Sequence, residues 1–370
     1  MSAFLDTLNG AAALAGEHAE DVDIHSRFPK EAVDALREAR ALSALVDGVP
    51  FDDVARGCEL LARRCSATAM VFAMHQIQVA VLVQHRQDWP WVEGYLADLS
   101  REQRLISSVT SEIGTGGDMG RSIAAVESDG TFTKKAPTVS YGEYADDYLT
   151  TLRRTPDSEP SDQVTVLTLG SQTTATKVSD WDTLGMRGTC SPGFTISASF
   201  APEQVLPVPF GQIMNETLVP VSHLLWSHVW MGIAGEAFER ARKATRKSGA
   251  TSGTAKTQRL SELHGDLVAT RAQVAEALAR WQRESAEPGR PALQSMSAVL
   301  RHNVLKTSVS EATARICMGA LEVCGIAGYR NDSPYSVGRL LRDSLSASLM
   351  IANERLHEHN AALLMVVKEA

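Results

Sequence analysis

The chain has 370 residues, a formal charge of −8, 44% hydrophobic and 22% charged residues. That length buries a large core in two or three domains, and the composition fits neither a disordered nor a membrane-spanning chain. The acidic balance, with no basic block to neutralise phosphates, argues against a duplex nucleic acid partner.

Met1 to Glu17 lacks the basic start and apolar centre of a signal peptide, and no apolar run approaches a bilayer span, so the cytoplasm is the expected compartment. Residues 3–104 predict helices. Pro29 stands near one helix start, with Val33, Leu36 and Leu42 along one face. Phe51-Asp52-Asp53-Val54 opens another, with Val54, Leu60 and Leu61 inward. Ser66 to Val83 is apolar almost all round, the pattern of a helix buried on several sides. His75, in its middle, reads as a hydrogen-bonded core histidine, with a catalytic role as the alternative. Asp88-Trp89-Pro90-Trp91 breaks the pattern before one more helix. Cys58, Cys65, Cys190, Cys317 and Cys324 form an odd, scattered set without a CxxC pair and read as reduced core thiols.

From Ser107 to Phe200 the spacing changes. Short Val/Thr/Ile/Leu-rich runs, cut by Ser128-Asp129-Gly130 and Tyr141-Gly142, predict an antiparallel all-β unit. Gly114-Thr115-Gly116-Gly117 is not a dinucleotide fingerprint, because Met119 stands where the third glycine belongs and Ser122 to Glu127 reads as a strand leading to a turn. Its other uses are a tight turn or a nest of backbone N–H groups for an anion or ring carbonyl. Ser140, after a β-type Thr138-Val139, presents a hydroxyl towards the same region. Thr155 to Ser161 is a polar surface loop. Helical spacing returns from Glu216 to Ala370, in segments near 216–247, 256–285, 293–327 and 333–368, which predicts a bundle. His223 and His228 are not one turn apart, so a shared metal is not expected.

Two strings carry a family resemblance. Trp181-x-x-Leu184-Gly185-Met186-Arg187-Gly188-Thr189-x-Ser191 resembles the signature closing the central β domain of the acyl-CoA dehydrogenase superfamily. Ala320 to Tyr329, followed by Arg339-Leu340-Leu341-Arg342-Asp343, resembles that family's cofactor turn and the lead into its catalytic helix. Val109-Thr110-Ser111-Glu112 to Gly116-Gly117-Asp118 is similar to the flavin loop, and Lys135 to Gly142 to the strand meeting the isoalloxazine, with Thr138 in place of a tryptophan.

The resemblance implies an α+β fold: an N-terminal helical domain (1–104), a central antiparallel β domain (105–212) and a C-terminal four-helix bundle (213–370). It implies FAD between sheet and bundle, touched by Val109, Thr110, Gly116, Gly117, Val139 and Ser140. Arg246, Glu322, Gly325 and Asn353 occupy the remaining cofactor positions, and a homodimer or homotetramer completes each site. The chain departs from the pattern at Glu322 (usually glutamine), at Ile326 (usually glycine) and around Arg246 to Gly249. The position of the catalytic base counts to Ile351, and the alternative position found in some members counts to Ser222. Glu354, counted one helical turn beyond Ile351, is the carboxylate left for the role, or else a solvated helix residue. Three functions follow. One is α,β-desaturation of an acyl thioester, passing electrons to an electron-transfer flavoprotein. The second is oxygenation of a small organic substrate with a flavin reductase as partner, and the third is a non-catalytic scaffold.

Overall fold

A computed structural model describes residues 2–249 and 254–368. Its first helices are α1 (Ala3–Ile24), α2 (Lys30–Glu38), α3 (Phe51–Ala62), α4 (Ser66–Gln84) and α5 (Pro90–Glu102). Helix α4 is, by length and composition, apolar enough to cross a membrane, contrary to the sequence reading. It is instead the buried axis of the fold, packed against α2, α3 and the later helices and sheet. His75 explains how a polar group is tolerated there. The Ile106 N–H donates to His75 Nδ1 at 3.1 Å, so the ring proton sits on Nε2 and is donated to the Leu42 carbonyl at 2.7 Å. Burial pushes the imidazole pKa down to about 4. His75 is the satisfied core histidine.

Two three-stranded sheets follow, built from β1 (Ile106–Val109), β2 (Thr131–Ala136), β3 (Asp147–Arg153), β4 (Gln163–Leu169), β5 (Thr173–Lys177) and β6 (Phe194–Ser199). Their strand orders are β1-β3-β4 and β2-β6-β5. Phe132, Leu152, Val164, Phe194 and Ile196 fill the space between them. The pairing is antiparallel except for β1 with β3, which run parallel with Ile106 opposite Asp147. Ser122 to Glu127 is not a strand; it makes one isolated bridge, Ala125 to Arg153. Two of its amides are drawn away from a ladder, since Ile123 and Ala124 both donate to the Glu112 carboxylate. Thr138 to Ser140 also lies outside any strand, because Pro137 at the end of β2 has no N–H to continue the ladder.

The chain then runs through α6 (Phe210–Ile213), a π-helical turn (Met214–Leu218), α7 (Val219–Lys247), α8 (Ala255–Ala286), α9 (Met296–Cys324), α10 (Ile326–Tyr329), α11 (Gly338–Leu345) and α12 (Asn353–Leu364). Helices α7, α8 and α9 pack on one another, and α7 also packs on α3 and α4, so both ends of the chain share one core. The helix predicted over 333–368 is broken. Ser344 and Ser346 hydroxyls bond back to the Leu341 and Asp343 carbonyls, the local competition that weakens helices. Beyond them Ile351 has φ +47°, and Lys306 Nζ holds its carbonyl at 2.9 Å and Asn353 Oδ1 at 2.7 Å.

Candidate active site

Where α4, α7, the α11–α12 turn and the sheet edges meet there is a cavity of about 750 Å³. Helix α4 contributes Met70, Met74, Ile77 and Gln78; the α7 side contributes Leu218, Ser222 and Trp226; the turn contributes Leu349, Met350 and Ile351. The β side is polar, with Ser108, Thr110, Gly116, Gly117, Thr138, Ser140 and Ser191.

A buried ion pair shapes the β side. Glu112 turns inward, accepting from Ser122 Oγ at 2.7 Å and from the Ile123 and Ala124 amides at 2.9 and 2.7 Å. Lys134 Nζ lies 3.6 Å from that carboxylate and donates to the Thr151 carbonyl at 2.7 Å and to the Thr110 carbonyl at 3.3 Å. Burial pulls the amine down to about 8 against the opposing pull of Glu112. Sequence reasoning missed Lys134, although the alternation in β2 carries the signal: Lys134 shares the inward phase of Phe132 and Ala136. With Glu112 anchored, the chain must turn sharply, and Gly114, Gly116 and Gly117 take φ of +97°, +63° and +80°.

Hydroxyls tie the next layer. Ser107 Oγ donates to the Ser140 carbonyl at 2.9 Å, Ser111 Oγ to the Thr138 carbonyl at 2.9 Å, and Ser191 Oγ to Ser140 Oγ at 3.1 Å. Among the described residues, the amides of Gly116, Gly117 and Ser140 find no hydrogen-bond partner in the chain, and all three residues line the cavity. Unpaired donors beside a largely apolar slot suit the polar rim of an isoalloxazine.

The Trp181–Ser191 string docks the sheet onto the helices. Met186, at φ +53°, donates its N–H to Asp343 Oδ1 at 2.7 Å, and burial raises the Asp343 pKa. Arg342 donates to the Leu184 carbonyl at 2.8 Å and pairs with Asp23. The Arg342-Asp343 pair therefore positions this wall. A Cβ at Gly185 would collide with the Arg342 carbonyl. Gly185→Ala is accordingly expected to cost about 1–3 kcal/mol, as overpacking does, read as a lower urea midpoint. An unchanged midpoint would show that the backbone gives way there.

The remaining sequence-predicted residues divide plainly. Thr110, Gly116, Gly117 and Ser140 line the cavity, while Val109 and Val139 are buried outside its lining. Asn353 lies behind the wall, holding Lys306 and Ser310. Arg246 is exposed near the end of α7, and Glu322 is exposed and paired with Arg259 at 3.2 Å. Gly325 ends α9 at φ +60°. None of these three lines the cavity. Ile351 and Ser222 both do, whereas Glu354 is exposed and does not. The one-turn count from Ile351 to Glu354 fails because Ile351 lies in the break before α12; Arg355 is the α12 residue that reaches the cavity, against Gly117. Among the described residues the cavity wall carries one carboxylate, Asp118, whose Oδ1 accepts from the Gly120 amide at 2.9 Å. No cluster of three metal-ligating side chains occurs among them.

Residues 219–351 match the family model for the acyl-CoA dehydrogenase C-terminal domain. No curated protein sequence matches the chain. The FMN-bound structure of the dibenzothiophene monooxygenase TdsC from Paenibacillus sp. A11-2 is 18% identical over 98% of this chain and 97% of that one, with a TM-score of 0.84. TdsC has also been solved with FMN and indole. Methanesulfinate monooxygenase MsuC from Pseudomonas fluorescens is 18% identical over 100% of this chain and 98% of that one, TM-score 0.84. Butyryl-CoA dehydrogenase from Megasphaera elsdenii is 17% identical over 99% of each chain, TM-score 0.78. The chain has the acyl-CoA dehydrogenase-like fold, helical at both ends around a small β region.

Proposed function

We propose that this chain is a flavin-dependent monooxygenase of the acyl-CoA dehydrogenase-like fold, acting on a small organic substrate with reduced flavin supplied by a partner reductase. The observation that carries this reading is the pair Ile351 and Ser222. Both line the cavity, both are the residues to which the family's carboxylate positions count, and neither can take a proton from a carbon acid. Desaturation of a thioester lacks its base at both counted positions, and Asp118, the one wall carboxylate among the described residues, is held by the Gly120 amide. Oxygenation asks for something else: a slot for the flavin, fixed donors at its polar rim, and an apolar chamber for the substrate.

The residues fit those demands. The unpaired amides of Gly116, Gly117 and Ser140 would hold the flavin's polar edge, and Lys134, donating to the Thr110 carbonyl, fixes the chain behind them. The bound flavin would supply oxygen activation. Ser140 and Ser191, already hydrogen-bonded to one another, are the groups that can move a proton along this wall. Likeness to TdsC and MsuC supports the oxygenase reading over the dehydrogenase one. Ile326 and Tyr329, each 74% exposed, and Leu349, 77% exposed, leave apolar surface that a second copy of the chain would cover.

The test uses the dehydrogenase reaction itself. Protein loaded with oxidised FAD and mixed anaerobically with butyryl-CoA is expected to keep its flavin colour. Stoichiometric bleaching would overturn the oxygenase reading.

A further inference from the structure

Helices α4 and α7 run antiparallel along one wall of the cavity. Trp226 Nε1 donates to Met74 Sδ at 3.3 Å, and further along the same seam His85 Nε2 meets Thr217 Oγ1 at 2.8 Å. One turn from Met74 towards His85 lies Gln78, and one turn from Trp226 towards Thr217 lies Ser222. The two therefore stand level across the seam, and both line the cavity. Gln78 is 2% exposed and Ser222 5%.

Each carries an unused polar atom. Gln78 Nε2 donates to the Met74 carbonyl at 3.3 Å, which turns Oε1 the other way, and that oxygen accepts nothing within the described chain. Ser222 Oγ likewise has no partner among the described residues. Around them Met70, Met74, Leu218 and Trp226 are apolar, and the indole N–H of Trp226 is already committed to Met74. Two polar atoms that face an apolar chamber with no partner in the described chain are the hydrogen-bonding points a ligand can complete.

We infer that Gln78 and Ser222 form a polar clamp selecting an uncharged, mainly apolar, ring-sized substrate that carries one N–H or O–H group. That group donates to Gln78 Oε1, while the Ser222 hydroxyl bonds its lone pair or π face. This rests on the proposed function only in taking the cavity as the substrate site. The Trp226 ring supplies a flat apolar wall, and no charged side chain among the described residues lines this part of the cavity to favour a charged ligand.

Calorimetric titration of the flavin-free full chain with indole and with indene tests it, because the two share a shape and differ by the N–H. The expected result is indole bound about five- to tenfold more tightly, as for one neutral hydrogen bond in a dry site. Gln78→Met should bring the ratio close to one with indene affinity kept, and Ser222→Ala should lower it partway. Equal affinity for the two probes in the wild-type protein, no binding of either, or a preference unchanged in both variants would overturn the clamp. No turnover is involved, so failure here leaves the butyryl-CoA result standing, and bleaching by butyryl-CoA leaves the clamp standing.

Discussion

At about pH 5 the protein is expected to lose most of the stability it has at neutral pH, and four buried histidines are the reason. His75 and His85 are held at about 4, His302 at about 4 and His223 at about 3, in every case chiefly by burial. Between those values and the ordinary histidine value the unfolded chain binds protons that the folded chain refuses. Stability is therefore fully present above about pH 6.5 and is lost as pH falls towards 4. At about pH 5 each histidine accounts for about 2 kcal/mol of that loss, against a total of about 5–15 kcal/mol for a typical domain. Asp147 and Asp343, whose carboxyl groups burial raises, act in the opposite sense and recover part of it. Urea unfolding at the two pH values reads the effect directly, and equal midpoints would mean that these imidazoles accept protons inside the fold.

Lys134→Met is expected to cost about 3–5 kcal/mol, the usual penalty for removing one partner of a buried ion pair and stranding the other charge. The substitution keeps the shape of the side chain and leaves Glu112 facing only neutral donors. It should also weaken flavin binding, because the glycine turn Gly114 to Gly117 is carried on the anchored Glu112. Adding Glu112→Gln should return part of the stability, since no charge is then stranded, while the amide nitrogen leaves one of the three donors on that carboxylate without its acceptor. A double variant as unstable as the single one would show that Lys134 acts through its contacts to Thr110 and Thr151 instead.

Much of this architecture was legible before any coordinates. The all-round apolar run of Ser66 to Val83 marked the central helix, the short runs after Ser107 marked the sheets, and His75 read correctly as a core histidine. The Trp181–Ser191 string was recognisable, but its work was not. Only the fold shows that Gly185 and Met186 lie against Arg342 and Asp343, because that contact joins residues far apart in sequence. The break between α11 and α12 was missed because helical spacing continues across it; Lys306, on a different helix, holds the Ile351 carbonyl there. That break is what removes Glu354 from the wall, an outcome no count along the chain could give. The parallel pairing of β1 with β3 was hidden for the same reason, since local alternation does not report which strand lies alongside.

On the proposed reading the cavity grips a flavin in the form that reacts with oxygen. Anaerobic titration of the purified chain with FMN, oxidised and then chemically reduced, tests it most directly. Donor amides at Gly116, Gly117 and Ser140 should favour the electron-rich ring, so the reduced form is expected to bind about tenfold or more tightly. Oxidised flavin retained through purification, with no gain in affinity on reduction, would contradict it.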